Sequence, residues 1–185
     1  MSTELGQSLL LLARNAICGQ LGAAHPADPD VALLPRLTQP GASFVTLTRD
    51  GELRGCIGSL EAHRPLHQDV AANALGAAFR DPRFAALTLA ELAGVKVEVS
   101  LLTPALAMRF ADEADALGQL RPHVDGVILE YGRHRSTFLP QVWESLPEPV
   151  QFLAQLKRKA GLPLNFWSNE LRLSRYQVEK WKEAH

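Results

Sequence analysis

Cys56 is one of only two cysteines in this chain, and its neighbours are of types that can support chemistry. Residues 53–60 read Leu-Arg-Gly-Cys-Ile-Gly-Ser-Leu. Gly55 and Gly58 carry no Cβ, so backbone or a ligand can approach the thiol closely. Arg54 stands two positions before Cys56, where a regular strand would put both on one face and the cation would stabilise a thiolate. The thiolate is the reactive form, and a nearby cation lowers the ordinary thiol pKa of about 8.5. Cys56 is therefore a candidate nucleophile or redox thiol, with a base drawn from His63, His67 or His123. A plainer reading stands beside it. Glycine and cysteine are small enough for a crowded strand-to-helix corner, and free cysteine is often simply buried.

Glu98 and Arg83 form a second candidate set. A glutamate in an otherwise apolar strand either holds Arg54 or Arg83 in a salt bridge or, with a raised pKa, works as a general acid or base. Asp81 most simply caps the turn around Pro82. His63 and His67 have the i, i+4 spacing of metal ligands on a helix, but Pro65 lies between them and no third ligand comes after. Nothing in the sequence requires a cofactor. Gly55-x-x-Gly58 is no phosphate loop, because the flanking glycine and lysine pattern is absent. Trp143, Trp167 and Trp181 read as core or cleft-wall residues.

The elements that must hold these residues are legible in outline. Leu5, Leu9, Leu12, Ala13, Ala16 and Ile17 predict an amphipathic helix over 5–20. The proline-rich stretch 24–40 predicts an ordered loop or extended arm. Asp50-Gly51 between two β-prone runs predicts a type I′ hairpin. That register sets Arg49 opposite Glu52, Leu47 opposite Arg54 and Val45 opposite Cys56. Arg54 then lies partly inside, where its charge needs a carboxylate, a carbonyl or a ligand anion. A second helix comes next over 65–80, ended by Asp81-Pro82. Residues 94–102 alternate with period two, with Lys96, Glu98 and Ser100 on one face. Beyond them lie a short helix over 112–120 and a second hairpin turning at Gly132-Arg133, with Glu130 facing Arg135. A helix over 149–160 carries Lys157-Arg158-Lys159 as a solvated face, and the tail packs back as strand or turn. This irregular alternation favours an α+β fold over βαβ units.

With 185 residues, the chain can fill one core or two small subdomains sharing one. A formal net charge of −1 argues against a nucleic-acid or anionic-membrane binder. The sequence shows neither a membrane-length apolar run nor a signal-peptide pattern at its start. Two cysteines make no disulfide framework, so a reducing cytoplasm is the expected location. Cys18, on the first helix, reads as a buried small side chain.

Leu53-Arg-Gly-Cys-Ile-Gly58 resembles the signature hexapeptide of the AMMECR domain. Asp81-Pro-Arg-Phe84, Val97-Glu-Val-Ser100, Gly126-Val-Ile-Leu129, Leu139-Pro-Gln-Val142 and Lys159-Ala-Gly-Leu-Pro163 with Trp167 extend the resemblance over almost the whole chain. One local departure is His134-Arg-Ser-Thr137, which replaces a more aliphatic approach to the Leu-Pro-Gln strand. The resemblance implies a single AMMECR-type domain over 1–185. It also implies an α+β fold of two unequal subdomains with antiparallel or mixed sheets flanked by helices, and the hexapeptide near a cleft between them. Its microbial members look like protein A of the AmmeMemoRadiSam system, whose other components are a Memo-like protein and a radical S-adenosylmethionine protein. The resemblance implies no particular reaction. Two expectations result. In one, a cleft lined by Arg54, Cys56, Arg83 and Glu98, with Gly55 and Gly58 giving access, binds a small anionic or carbonyl-bearing ligand. In the other, the chain is a non-catalytic adaptor and the hexapeptide is structural.

Overall fold

The apolar spacing of the N-terminal region builds a helix that buries one stripe. In the computed structural model, which describes residues 2–31 and 35–184, α1 spans Ser2–Leu21 and buries Leu9, Leu12, Ala13 and Ile17. The single turn α2 (Pro35–Thr38) interrupts the proline-rich segment, of which 32–34 lie outside the described residues. Strands β1 (Ala42–Arg49) and β2 (Glu52–Gly58) form the expected hairpin. Its two central residues, Asp50 and Gly51, have φ of 52° and 83°, the left-handed pair that a type I′ turn demands. Next come α3 (Leu66–Phe79), a 3₁₀ turn (Leu89–Gly94) and β3 (Val95–Leu102). Beyond them lie β4 (Leu106–Ala107), α4 (Glu113–Gln119), β5 (Gly126–Tyr131) and β6 (His134–Phe138). A 3₁₀ turn (Pro140–Glu144), α5 (Pro149–Lys159), β7 (Arg172–Tyr176) and β8 (Val178–Lys182) complete the chain. Contacts divide it into two units, Met1–Leu102 with Glu179–His185, and Thr103–Val178. The fold class is α+β, as expected.

In the first unit the sheet order is β2-β1-β3-β8. Strict alternation sends Val45, Leu47, Val97 and Val99 to one face, where all four are fully buried with Leu9, Ala13, Val70, Ala74 and Ala77 from α1 and α3. Helix α3 comes unusually close to β2. A Cβ on Gly55 would stand 2.1 Å from the carbonyl oxygen of Ala77, and one on Gly76 would stand 2.9 Å from Ile57. The tail is tied to the same unit: Glu183 accepts from the backbone N–H of Val97 and pairs with Arg14.

The hairpin register departs from the expected one by a single residue. Arg49 faces Glu52, but Leu47 then faces Gly55, Thr46 faces Cys56 and Val45 faces Ile57. Arg54 is the extra residue of a β-bulge and has no partner on β1. The turn does not slip. The close approach of Ala77 selects Gly55 for the helix side, and the bulge supplies the one-residue correction that puts it there. Cys56 and Leu47 consequently lie on opposite faces, so the expected face of Val45, Leu47, Arg54 and Cys56 does not form.

The second unit has sheet order β4-β7-β5-β6 and a separate core. Glu130 pairs with Arg135 across the Gly132-Arg133 turn, with Nε 3.2 Å from Oε1. Trp143 is fully buried and stacks on Phe152 at 3.7 Å between centroids, and its Nε1 donates to the Asp125 carbonyl. Lys157 is not part of a solvated face. It lies four residues after buried Leu153 on the apolar stripe of α5, and its side chain is only 2% exposed. The ammonium is held 2.5 Å from Glu113 Oε1 and lies over the Trp167 ring at 5.6 Å.

These packing features generate two expectations. Gly55→Ala, which forces a methyl against the α3 backbone, lowers the urea-unfolding free energy by about 3 kcal/mol. A change below about 1 kcal/mol would show that β2 can move off α3. Glu113→Ala strands a buried cation and destabilises by about 3 kcal/mol, whereas the double variant Glu113→Ala/Lys157→Met recovers most of that loss. Equal losses in the single and double variants would contradict the pairing.

Candidate functional site

The face of the first sheet turned away from α1 and α3 carries the candidate residues Cys56 and Glu98. Reading across β2, β1 and β3, Cys56 stands opposite Thr46, and Thr46 stands opposite Glu98. All three are half-buried. Thr46 Oγ1 lies 3.3 Å from Cys56 Sγ. Glu98 makes no hydrogen bond or ion pair among the described residues. The neighbouring row is closed: the ring of Phe44 lies where a Cβ on Gly58 would be, 2.2 Å from its nearest ring atoms. Gly58 therefore seats an aromatic ring, and Gly55 seats a helix carbonyl. Neither glycine is needed to admit a ligand.

The two arginines are committed elsewhere. Arg54, leaving the ladder at the bulge, donates through Nε and Nη2 to Glu91 at 3.0 and 3.2 Å and through Nη2 to the Ala85 carbonyl at 2.9 Å. Its buried charge is thus met by a carboxylate and a carbonyl, and its Nη1 has no hydrogen-bond partner. Arg83 forms a bidentate pair with Asp81, Nε to Oδ1 at 3.0 Å and Nη2 to Oδ2 at 2.7 Å. Both guanidinium groups lie over Phe84, at 5.8 and 5.5 Å from its centroid. Neither arginine pairs with Glu98, so the salt-bridge role expected for that residue is taken by Glu91 and Asp81.

Asp81 does more than cap its turn. β2 is an edge strand, and its outward backbone groups need partners. The N–H of Cys56 donates to Asp81 Oδ2 at 2.9 Å, and the Cys56 carbonyl accepts from Arg83 Nη2 at 3.4 Å. The Asp81–Glu91 segment therefore seals the edge of β2. The Arg83 guanidinium and the Cys56 N–H hold the Asp81 carboxyl well below the usual carboxylate range. The Arg54 guanidinium, helped by the Thr88 N–H, lowers the Glu91 carboxyl from 4.5 to about 2, although burial works the other way.

His63 and His67 serve local structure. Nδ1 of exposed His63 donates to the Glu61 carbonyl, and Nδ1 of His67 donates to the Leu37 carbonyl. Exposed His123 belongs to the second unit, with φ of 64°. Among the described residues, no group of three His, Cys, Asp or Glu is placed to hold a metal ion. A shallow depression of about 530 Å³ in the second unit, lined by Phe138, Leu146, Gln155, Arg158 and Lys159, contains none of the candidate residues.

Thr46, Glu91 and Asp69 are absent from the candidates drawn from sequence. Asp69 is fully buried and gathers the Ser43 N–H and hydroxyl, the Ser59 hydroxyl, Arg64 Nε and the Asn73 amide. It ties the start of β1 and the exit of β2 to α3. A usable signal was the i, i+4 spacing of Asp69 and Asn73 beside the apolar stripe of that helix.

Fold and site together define an α+β protein that presents a free thiol on the less covered face of an antiparallel sheet. The AMMECR1 family model matches residues 10–181, and the chain belongs to that family. A protein of Methanothermobacter thermautotrophicus is 37% identical over 194 aligned positions, covering 99% of this chain and 96% of the relative. Protein MJ0810 of Methanocaldococcus jannaschii is 39% identical over 137 positions, covering 73% and 68%. The crystal structure of an uncharacterized protein, PH0010 from Pyrococcus horikoshii, matches with a TM-score of 0.77 at 32% identity, over 97% of this chain and 92% of that one.

Acid titration tests the ion pairs around the site. Because the Glu91 carboxyl is lowered in the fold from 4.5 to about 2, its contribution is complete above pH 4.5 and fades as the pH falls through that interval. Asp81 acts in the same direction. Arg54→Met is accordingly less stable than wild type near neutrality, and the gap narrows on titration to pH 2, monitored by urea unfolding. A gap of constant size would mean that Arg54 stabilises the fold without engaging Glu91.

Proposed function

We propose that this chain is a small-ligand-binding, thiol-dependent component of an enzyme system, and that its ligand meets Cys56 and Glu98 on the sheet face turned away from the helices. The observation that carries this reading is the row Cys56–Thr46–Glu98, in which a free thiol and an unpaired carboxylate flank a hydroxyl. Such a row offers a nucleophile, a hydrogen-bonding hydroxyl and an acid–base group without further assembly. The ligand class shifts accordingly. Arg54 and Arg83 each already hold a carboxylate, which favours a carbonyl-bearing ligand over an anion. The family resemblance supports Memo-like and radical S-adenosylmethionine proteins as partners, in a reducing cytoplasm that keeps both thiols free. No helix of the described residues is long and apolar enough to cross a membrane.

A second reading has its own observation. The packing of Gly55 on Ala77 and of Gly58 under Phe44 accounts for both glycines without any ligand, as an adaptor with a structural hexapeptide requires.

Alkylation of the folded protein by iodoacetamide separates the two. Under the first reading Cys56 reacts at least about tenfold faster than Cys18, which is buried at 5% exposure, and Cys56→Ser abolishes the fast phase. Equal, slow labelling of both thiols would remove Cys56 as a nucleophile and favour the adaptor.

A further inference from the structure

The Cys56 side chain has few neighbours able to control its proton. Its own strand offers Arg54, which is bound to Glu91 and the Ala85 carbonyl. The segment sealing the β2 edge offers Asp81 and Arg83, which are paired with each other and hydrogen-bond to the Cys56 backbone, the Arg83 charge also acting on the thiol through space. From β3, Glu98 is one strand further away, beyond Thr46. The histidines His63 and His67 are bonded to backbone carbonyls. Among the described residues, the group in direct hydrogen-bond contact with Sγ is the Thr46 hydroxyl, at 3.3 Å.

We infer that Thr46 is the positioning residue of the Cys56 thiol, an assignment that rests on the thiol-dependent reading above. A hydroxyl both accepts and donates. Facing the neutral thiol, Oγ1 accepts from S–H. Once the proton has left to solvent base, the hydroxyl turns and donates to the thiolate, and a hydrogen bond to an ionised acceptor is the stronger of the two. Thr46 therefore holds Sγ on the sheet face in both protonation states. The position also suits a β-branched residue for strand formation, so the hydroxyl can be removed without disturbing the ladder.

The test is the pH dependence of Cys56 alkylation by iodoacetamide, in which an S–C bond forms and iodide leaves. Wild type, Thr46→Val and Thr46→Ser are compared as folded full-length protein, with Cys18→Ala as the common background. Thr46→Val displaces the pH–rate profile upward by about one unit, which slows labelling about tenfold on its rising limb, and Thr46→Ser restores the wild-type profile. A purely structural role for Thr46 would lower stability without moving the profile. Coincident profiles for wild type and Thr46→Val overturn the assignment. Failure of wild-type Cys56 to react at any pH would overturn the thiol-dependent reading itself, and the assignment with it.

Discussion

The close contact between strand β2 and helix α3 governs the site. Where Gly55 passes the Ala77 carbonyl there is no room for a side chain, so the residue facing the helix must be glycine. Alternation then turns Cys56 the other way, onto the surface it shares with Thr46 and Glu98. One steric constraint thus selects the glycine, orients the thiol and requires the bulge at Arg54. The buried Asp69 network supports that arrangement by fastening the ends of β1 and β2 to the same helix.

The hexapeptide divides its labour by direction. Gly55 and Ile57 face the helix and belong to the core. Arg54 leaves the ladder to grip the segment that seals the strand edge, and the Cys56 backbone is gripped by the same segment through Asp81. Gly58 lies under Phe44. The Cys56 side chain remains on the open sheet face, where its hydrogen-bond partner among the described residues is the neutral Thr46 hydroxyl and the Arg83 charge acts on it through space. A conspicuous motif can therefore be mostly architecture and still present one thiol on the sheet face.

Much of this was legible in the chain. Asp50-Gly51 announced the hairpin because only residues tolerant of positive φ fit a type I′ turn, and the period-two run of β3 located Glu98 on its polar face. The one-residue register shift was harder to read, because a bulge answers to the helix that packs above it and not to the turn. A glycine in an edge strand was its available trace. The partner of Arg54 lies 37 residues away in a 3₁₀ turn, a distance at which spacing carries no information. Lys157 misled for a related reason: three consecutive cations look like a solvated face, although any one of three successive helix positions can turn inward, and here the first one does.

The central claim is that, within the hexapeptide, Arg54 builds the fold while Cys56 is the side chain proposed to face the ligand. The most direct test measures both properties in one variant, Arg54→Met, confirmed as folded by its circular dichroism. The account predicts a clear loss of stability against urea together with a pH profile for Cys56 alkylation that superposes on wild type. A folded variant whose thiol profile moves to higher pH would contradict it, and would return Arg54 to the role of the cation that activates the thiol.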